Sequence, residues 1–283
     1  NRGKNMKRKK KIISSFIILV IVGIFYLFQN YPIENNQDNV NKRIEEAPVT
    51  AEERLEVTFI DVGQADSILL ENEGHYMLID AGNNEDGPKL VNYFKKQNIS
   101  NFDYVIGTHP HEDHIGGLDD VIENFNIETF YMPDVITTTK TFEDVLDALG
   151  EKNMSLSIPK TNATFKLGDA TVKVLYVGTE EESDLNNTSI VLKVTYQNIS
   201  FLFTGDASTK VEEQLNKSDL QSTVLKVGHH GSSTATNEEF LNTVNPQYAV
   251  ISVGVDNQYE HPHTTVLLSL IHISEPTRRS YIS

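Results

Sequence analysis

One short segment of the sequence concentrates side chains that bind metal ions. It contains His109, His111, Asp113 and His114 within six residues, and two glycines follow shortly after. Imidazole and carboxylate groups are the ligands that zinc and manganese ions accept in proteins. On an extended backbone His109 and His111 point to the same side, because side chains alternate with a period of two. The segment therefore predicts two ligand pairs for two neighbouring cations, although one or two such histidines can also be ordinary polar loop residues.

The residues on either side predict regular secondary structure that would hold this segment in place. Residues 104–108 form a short β-rich run that includes a glycine, and residues 118–124 have the apolar spacing of a helix. The predicted ligands thus lie in a loop that connects a strand to a helix.

Further ligand-type residues follow other apolar runs. Asp206 comes after the run 201–203, where it could bind a cation or cap the next helix, because aspartate is a favoured N-cap residue. His229 and His230 follow another apolar strand. Adjacent side chains cannot easily face one cation, so we predict that His229 is the ligand and that His230 either supports a ligand or contacts the substrate.

The last pair of histidines has the same alternating spacing as the first. His261 and His263 flank Pro262, and one of them could contact the substrate oxyanion or donate a proton to the leaving group. We assign that role to His263. Simple surface histidines are the alternative interpretation.

Taken together, these segments resemble the metallo-β-lactamase-fold hydrolases. The resemblance rests on the HxHxDH segment and on FIDVGQADS at 59–67, LIDAG at 78–82, NNTSIVL at 186–192, FTGD at 203–206, LKVGHHGS at 225–232 and EHPH at 260–263. In this order they resemble the hydrolase domain of bacterial competence (ComEC-type) DNA-uptake channels and its free-standing relatives.

The resemblance implies a fold and a set of metal ligands. The fold is α/β, with a two-sheet β-sandwich flanked by helices in an αββα arrangement, and the cofactors are two divalent ions, zinc or manganese. The implied ligands are His109 and His111 for one cation, Asp113, His114 and His229 for the other, and Asp206 between the two. The implied catalytic residues are Asp113, His230 and His263.

The chain departs from the usual pattern of these enzymes at one ligand. No histidine lies between residues 115 and 228, where many of them supply one. Asn187 lies near that place, so we predict either a weaker amide ligand or a residue that caps its loop. The resemblance also implies that Asp80 orients a ligand histidine and that Gln64 and Asp66 lie near the pocket.

The implied activity is a phosphodiesterase or nuclease, with a metal-bridging hydroxide as the nucleophile. DNA or another phosphodiester, such as a choline-phosphate decoration of the cell envelope, would be the substrate. Two alternatives remain at this stage. The chain could be a non-catalytic binding module stabilised by metal, or it could hydrolyse a non-phosphate ester or a lactone.

The charge of the chain argues against tight binding to duplex DNA. The net charge is −16, and the first eleven residues contribute seven positive charges, so the remainder carries −23. Affinity for phosphate backbones normally comes from clustered Lys and Arg. A small or single-stranded substrate is therefore the easier prediction. Since the chain contains no cysteine, it can form neither a disulfide nor a thiolate metal site.

The N-terminal region predicts attachment to a membrane. Residues 1–11 read as a basic cytoplasmic tail, 12–31 as an apolar anchor helix and 32–54 as a disordered linker. A cleaved signal peptide is the alternative. The hydrolase domain, 55–268, would then lie outside the bacterial cytoplasmic membrane. We expect 269–283 to be a non-native tail in place of the helix and strand with which relatives continue.

Overall fold

The computed structural model describes residues 54–274. The predicted basic tail and membrane anchor, and nearly all of the predicted linker, lie outside the described residues. Within residues 54–274 the structure has no helix with both the length and the apolar character that a bilayer crossing requires.

The first half of the domain forms a six-stranded mixed sheet. Its strands lie side by side in sequence order: β1 (Leu55–Phe59), β2 (Ser67–Asn72), β3 (His75–Ala81), β4 (Asn101–Ile106), β5 (Asn126–Tyr131) and β6 (Leu156–Ser157). Strands β1 to β3 are antiparallel, and β3 to β6 are parallel to one another.

The second half forms another six-stranded mixed sheet. Its strands are β7 (Thr164–Leu167), β8 (Ala170–Tyr176), β9 (Val191–Tyr196), β10 (Ile199–Phe203), β11 (Val224–Lys226) and β12 (Tyr248–Val250), again in sequence order. Strands β7 to β10 are antiparallel, whereas β10, β11 and β12 are parallel.

Eight helices accompany the sheets within the described residues. They are α1 (Gly87–Lys96), α2 (Glu112–Ile115), α3 (Leu118–Asn124), α4 (Lys140–Glu151), α5 (Thr209–Glu212), α6 (Lys217–Leu220), α7 (Glu238–Val244) and α8 (Thr264–Ser274). Short 3-10 turns occur at Asn84–Asp86, Leu185–Thr188 and Gly228–Gly231.

The alternation of apolar side chains explains why the sheets are covered on both faces. In β2, Ile68 and Leu70 pack between the two sheets, while Leu69 points to the helices of the first sheet. In β9, Leu192 packs between the sheets and Val191 points to the helices of the second sheet. Such strands must be buried on both faces, because neighbouring residues point in opposite directions. The predicted helix, sheet, sheet, helix layering is thus confirmed.

The topology gathers the predicted ligands at one edge of the sandwich. Strands β3 and β4 are parallel in the first sheet, and β10 and β11 are parallel in the second, so within each pair the carboxyl ends share an edge. The segments that follow β4, β10 and β11 contain the histidines and aspartates predicted as metal ligands. Ligand sites commonly form outside the carboxyl ends of strands in α/β proteins.

The strong apolar runs predicted most of these elements. The predicted helix 118–124 has the observed bounds. Strands β5, β6 and β7 and helices α2, α6 and α8 were not predicted, because they are short or lack a clear apolar period.

Candidate metal centre

Four buried or half-buried side chains converge at the edge of the sandwich. One ligand atom from each of Asp113, His114, Asp206 and His230 lies within 4.8 Å of all the others. His114 Nε2 is 3.3 Å from Asp206 Oδ2, and His230 Nε2 is 3.3 Å from Asp113 Oδ2. His230 Nε2 is also 3.6 Å from Asp206 Oδ2. Two imidazoles and two carboxylates in this arrangement make a ligand set suited to zinc or manganese.

Unsatisfied polar atoms support the fit of a cation in this cluster. His114 Nε2, His230 Nε2 and Asp206 Oδ1 are buried and have no hydrogen-bond partner. Buried polar atoms normally have such a partner, and a bound metal ion is one explanation when they do not. The donor set of this cluster therefore fits a divalent cation.

A second pair of imidazoles lies beside the cluster. His109 Nε2 is 3.0 Å from His111 Nδ1, and the rings of His109 and His114 are 4.2 Å apart between centroids. His109 is fully buried, while His111 lines a cavity. The two side chains point to the same region, as their spacing predicted, and they lie beside His114 of the cluster.

The charges in the cluster compensate one another. Burial alone would raise the pKa of Asp206, but the imidazoles of His114 and His230 outweigh burial and hold this pKa well below its usual range. Burial likewise lowers the pKa of His114, and the carboxylates of Asp206 and Asp80 outweigh it, so that this pKa is well above its usual value. Burial lowers the pKa of His109 far below its usual value, which leaves a neutral imidazole of the kind that binds metals.

Asp80 fixes the orientation of His114. Its Oδ2 is 2.8 Å from His114 Nδ1, and it accepts hydrogen bonds from the backbone N–H and the hydroxyl of Thr108, both at 2.8 Å. Asp80 lies near the end of β3 with a φ of 59°, a left-handed conformation that is unusual for a residue with a side chain. The aspartate therefore directs His114 Nε2 into the cluster, as the resemblance implied.

Replacing Asp80 with asparagine is expected to weaken the centre without removing a ligand. Loss of a carboxylate that orients a metal-binding histidine typically costs about 10- to 100-fold in metal affinity or activity. Metal titration and turnover of Asp80→Asn would measure this loss. Asp103→Asn is a suitable control, because Asp103 pairs with the exposed His75 instead. Equal metal affinity in Asp80→Asn and wild type would contradict the assignment.

The geometry favours His230, and not the predicted His229, as the ligand in the cluster, while His229 Nε2 is also 3.6 Å from Asp206 Oδ2. Both have left-handed backbones, with φ of 48° at His229 and 52° at His230, which turns their side chains in different directions. The side chain of His230 is 2% exposed and belongs to the cluster, whereas that of His229 is 23% exposed. His229 Nδ1 bonds to Thr234 Oγ1 at 3.0 Å. His230 is therefore the better ligand candidate, and strained backbone at such a position is typical of functional sites.

Asp206 does not cap a helix. The helix α5 begins at Thr209, and its N-cap is Ser208, whose hydroxyl accepts from the N–H of Lys210. The capping alternative is therefore wrong for Asp206, and its carboxylate points into the cluster instead.

Asn187 connects two loops. Its Oδ1 accepts hydrogen bonds from the hydroxyl of Ser208 at 2.6 Å and from the N–H of Ser208 at 3.2 Å. Because two donors already occupy this oxygen, the geometry favours the loop-capping role over the predicted ligand role.

Replacing Asn187 with alanine is expected to lower stability but not metal content. Loss of a buried hydrogen-bond partner costs about 1–3 kcal/mol in the free energy of unfolding. Ser208→Ala removes the other side of the same contact and should cause a similar loss. Denaturant unfolding and metal analysis of both variants would check this result, and a missing cation in Asn187→Ala alone would indicate that Asn187 is a ligand.

Of the two histidines in the last motif, His261 is the one that faces the site. It lines a cavity of about 320 Å³ that the cluster also borders, and His263 does not. His263 Nδ1 instead accepts a hydrogen bond from the N–H of Ser233 at 2.8 Å. Burial and the neighbouring His229 and His263 lower the pKa of His261 to about 4. The predicted catalytic role of His263 has no support in this geometry, and His261, a neutral imidazole at the cavity wall, is the better candidate.

Other predicted residues border the same space. Gln64 lines the cavity, and its Oε1 accepts a hydrogen bond from the N–H of Gly254 at 3.1 Å, which connects the first loop of the domain to the last. Asn186, which belongs to the motif 186–192, and Tyr259 also line the cavity. Tyr259 has neither a spacing nor a residue type that would have singled it out.

A buried carboxylate supports the histidine loop from behind. Glu212 Oε1 accepts a hydrogen bond from the N–H of Thr236 at 2.6 Å, and the hydroxyl of Thr236 accepts one from the N–H of Gly228. Burial raises the pKa of Glu212 to about 7. Because this pKa is higher in the folded protein than in the unfolded chain, folding binds a proton between about pH 4.5 and 7.

Replacing Glu212 with glutamine is therefore expected to change how stability depends on pH. The wild-type protein should lose stability as the pH rises through this window, whereas Glu212→Gln keeps the acceptor and has no charge to bury. We expect the variant to be more stable than wild type by about 1–3 kcal/mol at pH 8, with the difference vanishing near pH 5. Denaturant unfolding at both pH values would measure it. The exposed Glu213→Gln is the control, and an equal pH dependence in wild type and Glu212→Gln would contradict the assignment.

Comparison with known proteins identifies the family of this architecture. The family model described as the metallo-beta-lactamase superfamily matches residues 60–255. Among solved structures, the metallo-beta-lactamase fold protein YhfI from Bacillus subtilis is similar with a TM-score of 0.53 and 14% identity, covering 78% of this chain and 92% of that one. At this identity the similarity shows the fold alone.

Curated relatives place the chain near competence proteins. It is 30% identical over 232 residues to ComE operon protein 3 of Bacillus subtilis, and the aligned region covers 75% of this chain and 30% of that protein. It is 29% identical over 221 residues to competence protein ComA of Neisseria gonorrhoeae, and the aligned region covers 76% of this chain and 29% of that protein. The chain thus spans less than a third of the length of these relatives. The resemblance predicted from the motifs is confirmed.

Proposed function

Because the chain belongs to the metallo-beta-lactamase superfamily, we propose that it is a metal-dependent phosphodiesterase that uses two divalent cations, manganese or zinc. The observation that carries this proposal is the buried cluster of Asp113, His114, Asp206 and His230, whose ligand atoms converge. The fold is typical of metal-dependent hydrolases, and the cluster offers four candidate ligand atoms of the kind that such hydrolysis uses.

Different residues of the chain would serve different steps of hydrolysis. A pair of bound divalent cations would lower the pKa of a water molecule from ~15.7 to near 7 and would polarise the phosphoryl group. Asp206, whose Oδ2 lies beside His114 and His230, would be a ligand to the bound cations. His261 at the cavity wall would donate a hydrogen bond to the leaving oxygen through its one ring N–H, which a neutral imidazole retains.

The walls of the site favour a small or single-stranded substrate. A second cavity of about 600 Å³ adjoins the cavity at the cluster, and Gln64, Glu112 and Tyr259 line both of them. Of the described residues that line these two cavities, none is Lys or Arg. Without such cations, the phosphates of a long duplex on either side of the scissile bond have no attractive partner. A single phosphodiester, including a choline-phosphate group, or a single strand fits this surface better.

We further propose that the catalytic domain acts outside the cytoplasmic membrane, attached by residues 12–31. The basic residues before this apolar run support this orientation. The competence relatives support nucleic acid as one substrate candidate.

The proposal can be tested with purified protein stripped of metal by a chelator. We expect manganese or zinc to restore cleavage of bis(4-nitrophenyl) phosphate, with single-stranded DNA cleaved faster than duplex DNA. Turnover of a lactone or a β-lactam, with no cleavage of any phosphodiester, would contradict the phosphodiesterase assignment. Metal binding without turnover of any of these substrates would favour the alternative of a metal-stabilised binding module.

A further inference from the structure

A lysine is buried directly beneath the metal cluster. Lys226 is the last residue of β11, and its side chain is only 1% exposed. Its Nζ is 2.5 Å from Oδ2 of Asp66, which is equally buried. Lys226 belongs to the second sheet, whereas Asp66 precedes β2 of the first, so this ion pair connects the two sheets. Fully buried lysines are rare in proteins, and the mechanism described above does not use this one.

Asp66 is in contact with the cluster on several sides. Its Oδ1 is 3.7 Å from His230 Nδ1, and its Oδ2 is 4.0 Å from His114 Nδ1. Its backbone N–H donates a hydrogen bond to the carbonyl oxygen of Asp113 at 3.0 Å. Asp66 therefore lies behind three of the four candidate ligands, without contributing an atom to their cluster.

The position of Asp66 creates a competition for the ligand imidazoles. His114 Nδ1 is already paired with Asp80, and His230 Nδ1 is 3.0 Å from the carbonyl oxygen of Ser252. An uncompensated Asp66 would attract both imidazoles, because a buried carboxylate without a partner is strongly unfavourable. The group of Asp66, Asp80 and His114 is even compact enough to bind a cation itself. The ammonium group of Lys226 supplies a positive charge at that place.

We propose that Lys226 is a positioning residue of the metal centre. By neutralising Asp66, it keeps that carboxylate away from the Nδ1 atoms of His114 and His230, and it thereby fixes the direction in which their Nε2 atoms point. Stability alone does not account for the pair, since well-packed apolar residues at buried ion-pair positions are often equally stabilising. The proposal rests on the proposed function only in that the cluster binds divalent cations.

Substitution of both partners tests this role with Co²⁺ as the probe. Visible absorption of the Co²⁺-loaded protein reports the geometry of the ligands, and titration reports their affinity. We expect Lys226→Met to change the absorption bands and to weaken Co²⁺ binding by about 10- to 100-fold. The double variant Asp66→Asn/Lys226→Met removes both charges, so it should regain bands and affinity close to those of wild type. Lys193→Met is the control, because Lys193 donates to backbone carbonyls of Asp219 and Gln221 instead.

Two results would overturn the proposal. In the first, Lys226→Met has wild-type bands and affinity and only its free energy of unfolding is lower, as for a purely structural lysine. In the second, the double variant is as perturbed as Lys226→Met. If Lys226→Met does not fold, the spectrum of the double variant decides alone. Wild-type protein that binds no Co²⁺ would overturn this proposal together with the proposed function, whereas Co²⁺ binding without phosphodiester cleavage would contradict only the latter.

Discussion

Replacing Asp206 with asparagine is expected to abolish turnover and to release at least one bound cation. Asp206 is 2% exposed, and its Oδ2 lies 3.3 Å from His114 Nε2 and 3.6 Å from His230 Nε2. Asparagine has the same shape but lacks the negative charge, so the imidazoles would lose the carboxylate around which they are arranged. Removal of a residue that only orients a metal ligand lowers metal affinity or activity by about 10- to 100-fold, and removal of a central ligand should lower them further. Metal analysis after dialysis and phosphodiesterase assays would measure both losses.

A matched substitution separates this effect from a general loss of charge. Asp219→Asn removes a carboxylate whose Oδ1 is 2.9 Å from Lys173 Nζ in a partly exposed ion pair, and Asp219 lines neither cavity of the site. Such pairs contribute about 0–1 kcal/mol to stability, so this control should keep its metal and its activity. If Asp206→Asn retained wild-type metal content and activity, Asp206 would have no place in the centre.

Single alanine variants of the two adjacent histidines are expected to differ greatly. His230→Ala removes a buried ligand candidate and should lower turnover by more than about 100-fold, with loss of a cation. His229→Ala removes a ring that is partly exposed and bonded to Thr234, so we expect it to keep its metal and to lose less than about 10-fold in turnover. The two positions are neighbours in the same left-handed turn, and each variant therefore serves as the control for the other.

The opposite result would restore the assignment made from the sequence. If His229→Ala lost the cation while His230→Ala kept it, binding of metal would have to rotate the turn Gly228–Gly231. Equal and complete loss in both variants, with unchanged folding, would mean that both imidazoles are required.

Local spacing predicted that four ligand-type side chains lie close together. His109, His111, Asp113 and His114 come together because a strand ends just before them and a helix begins at Glu112. Apolar runs predicted the central strands, because a short apolar run that is rich in β-branched residues is typical of a buried strand. Asp206 required the resemblance, because an aspartate after a strand can equally begin a helix.

The remaining features depend on conformations that a sequence does not reveal. Two successive residues with left-handed backbones determine which of His229 and His230 faces the cluster. Residues other than glycine rarely adopt this conformation. The role of His261 depends on the contact between His263 and Ser233, thirty positions earlier. Lys226 did leave a signal, because it is a charged residue between the apolar Leu225 and Val227. Its partner Asp66 could be identified only once the two sheets were packed together.

The most direct test of the metal centre is to count cations per chain while turnover is measured during reconstitution. Metal-free protein is titrated with manganese or zinc, and bound metal and cleavage of bis(4-nitrophenyl) phosphate are determined at each step. We expect up to two cations per chain, and we expect cleavage to rise with their binding. Saturation without any cleavage, or cleavage that persists in the metal-free protein, would contradict the assignment of a metal-dependent phosphodiesterase.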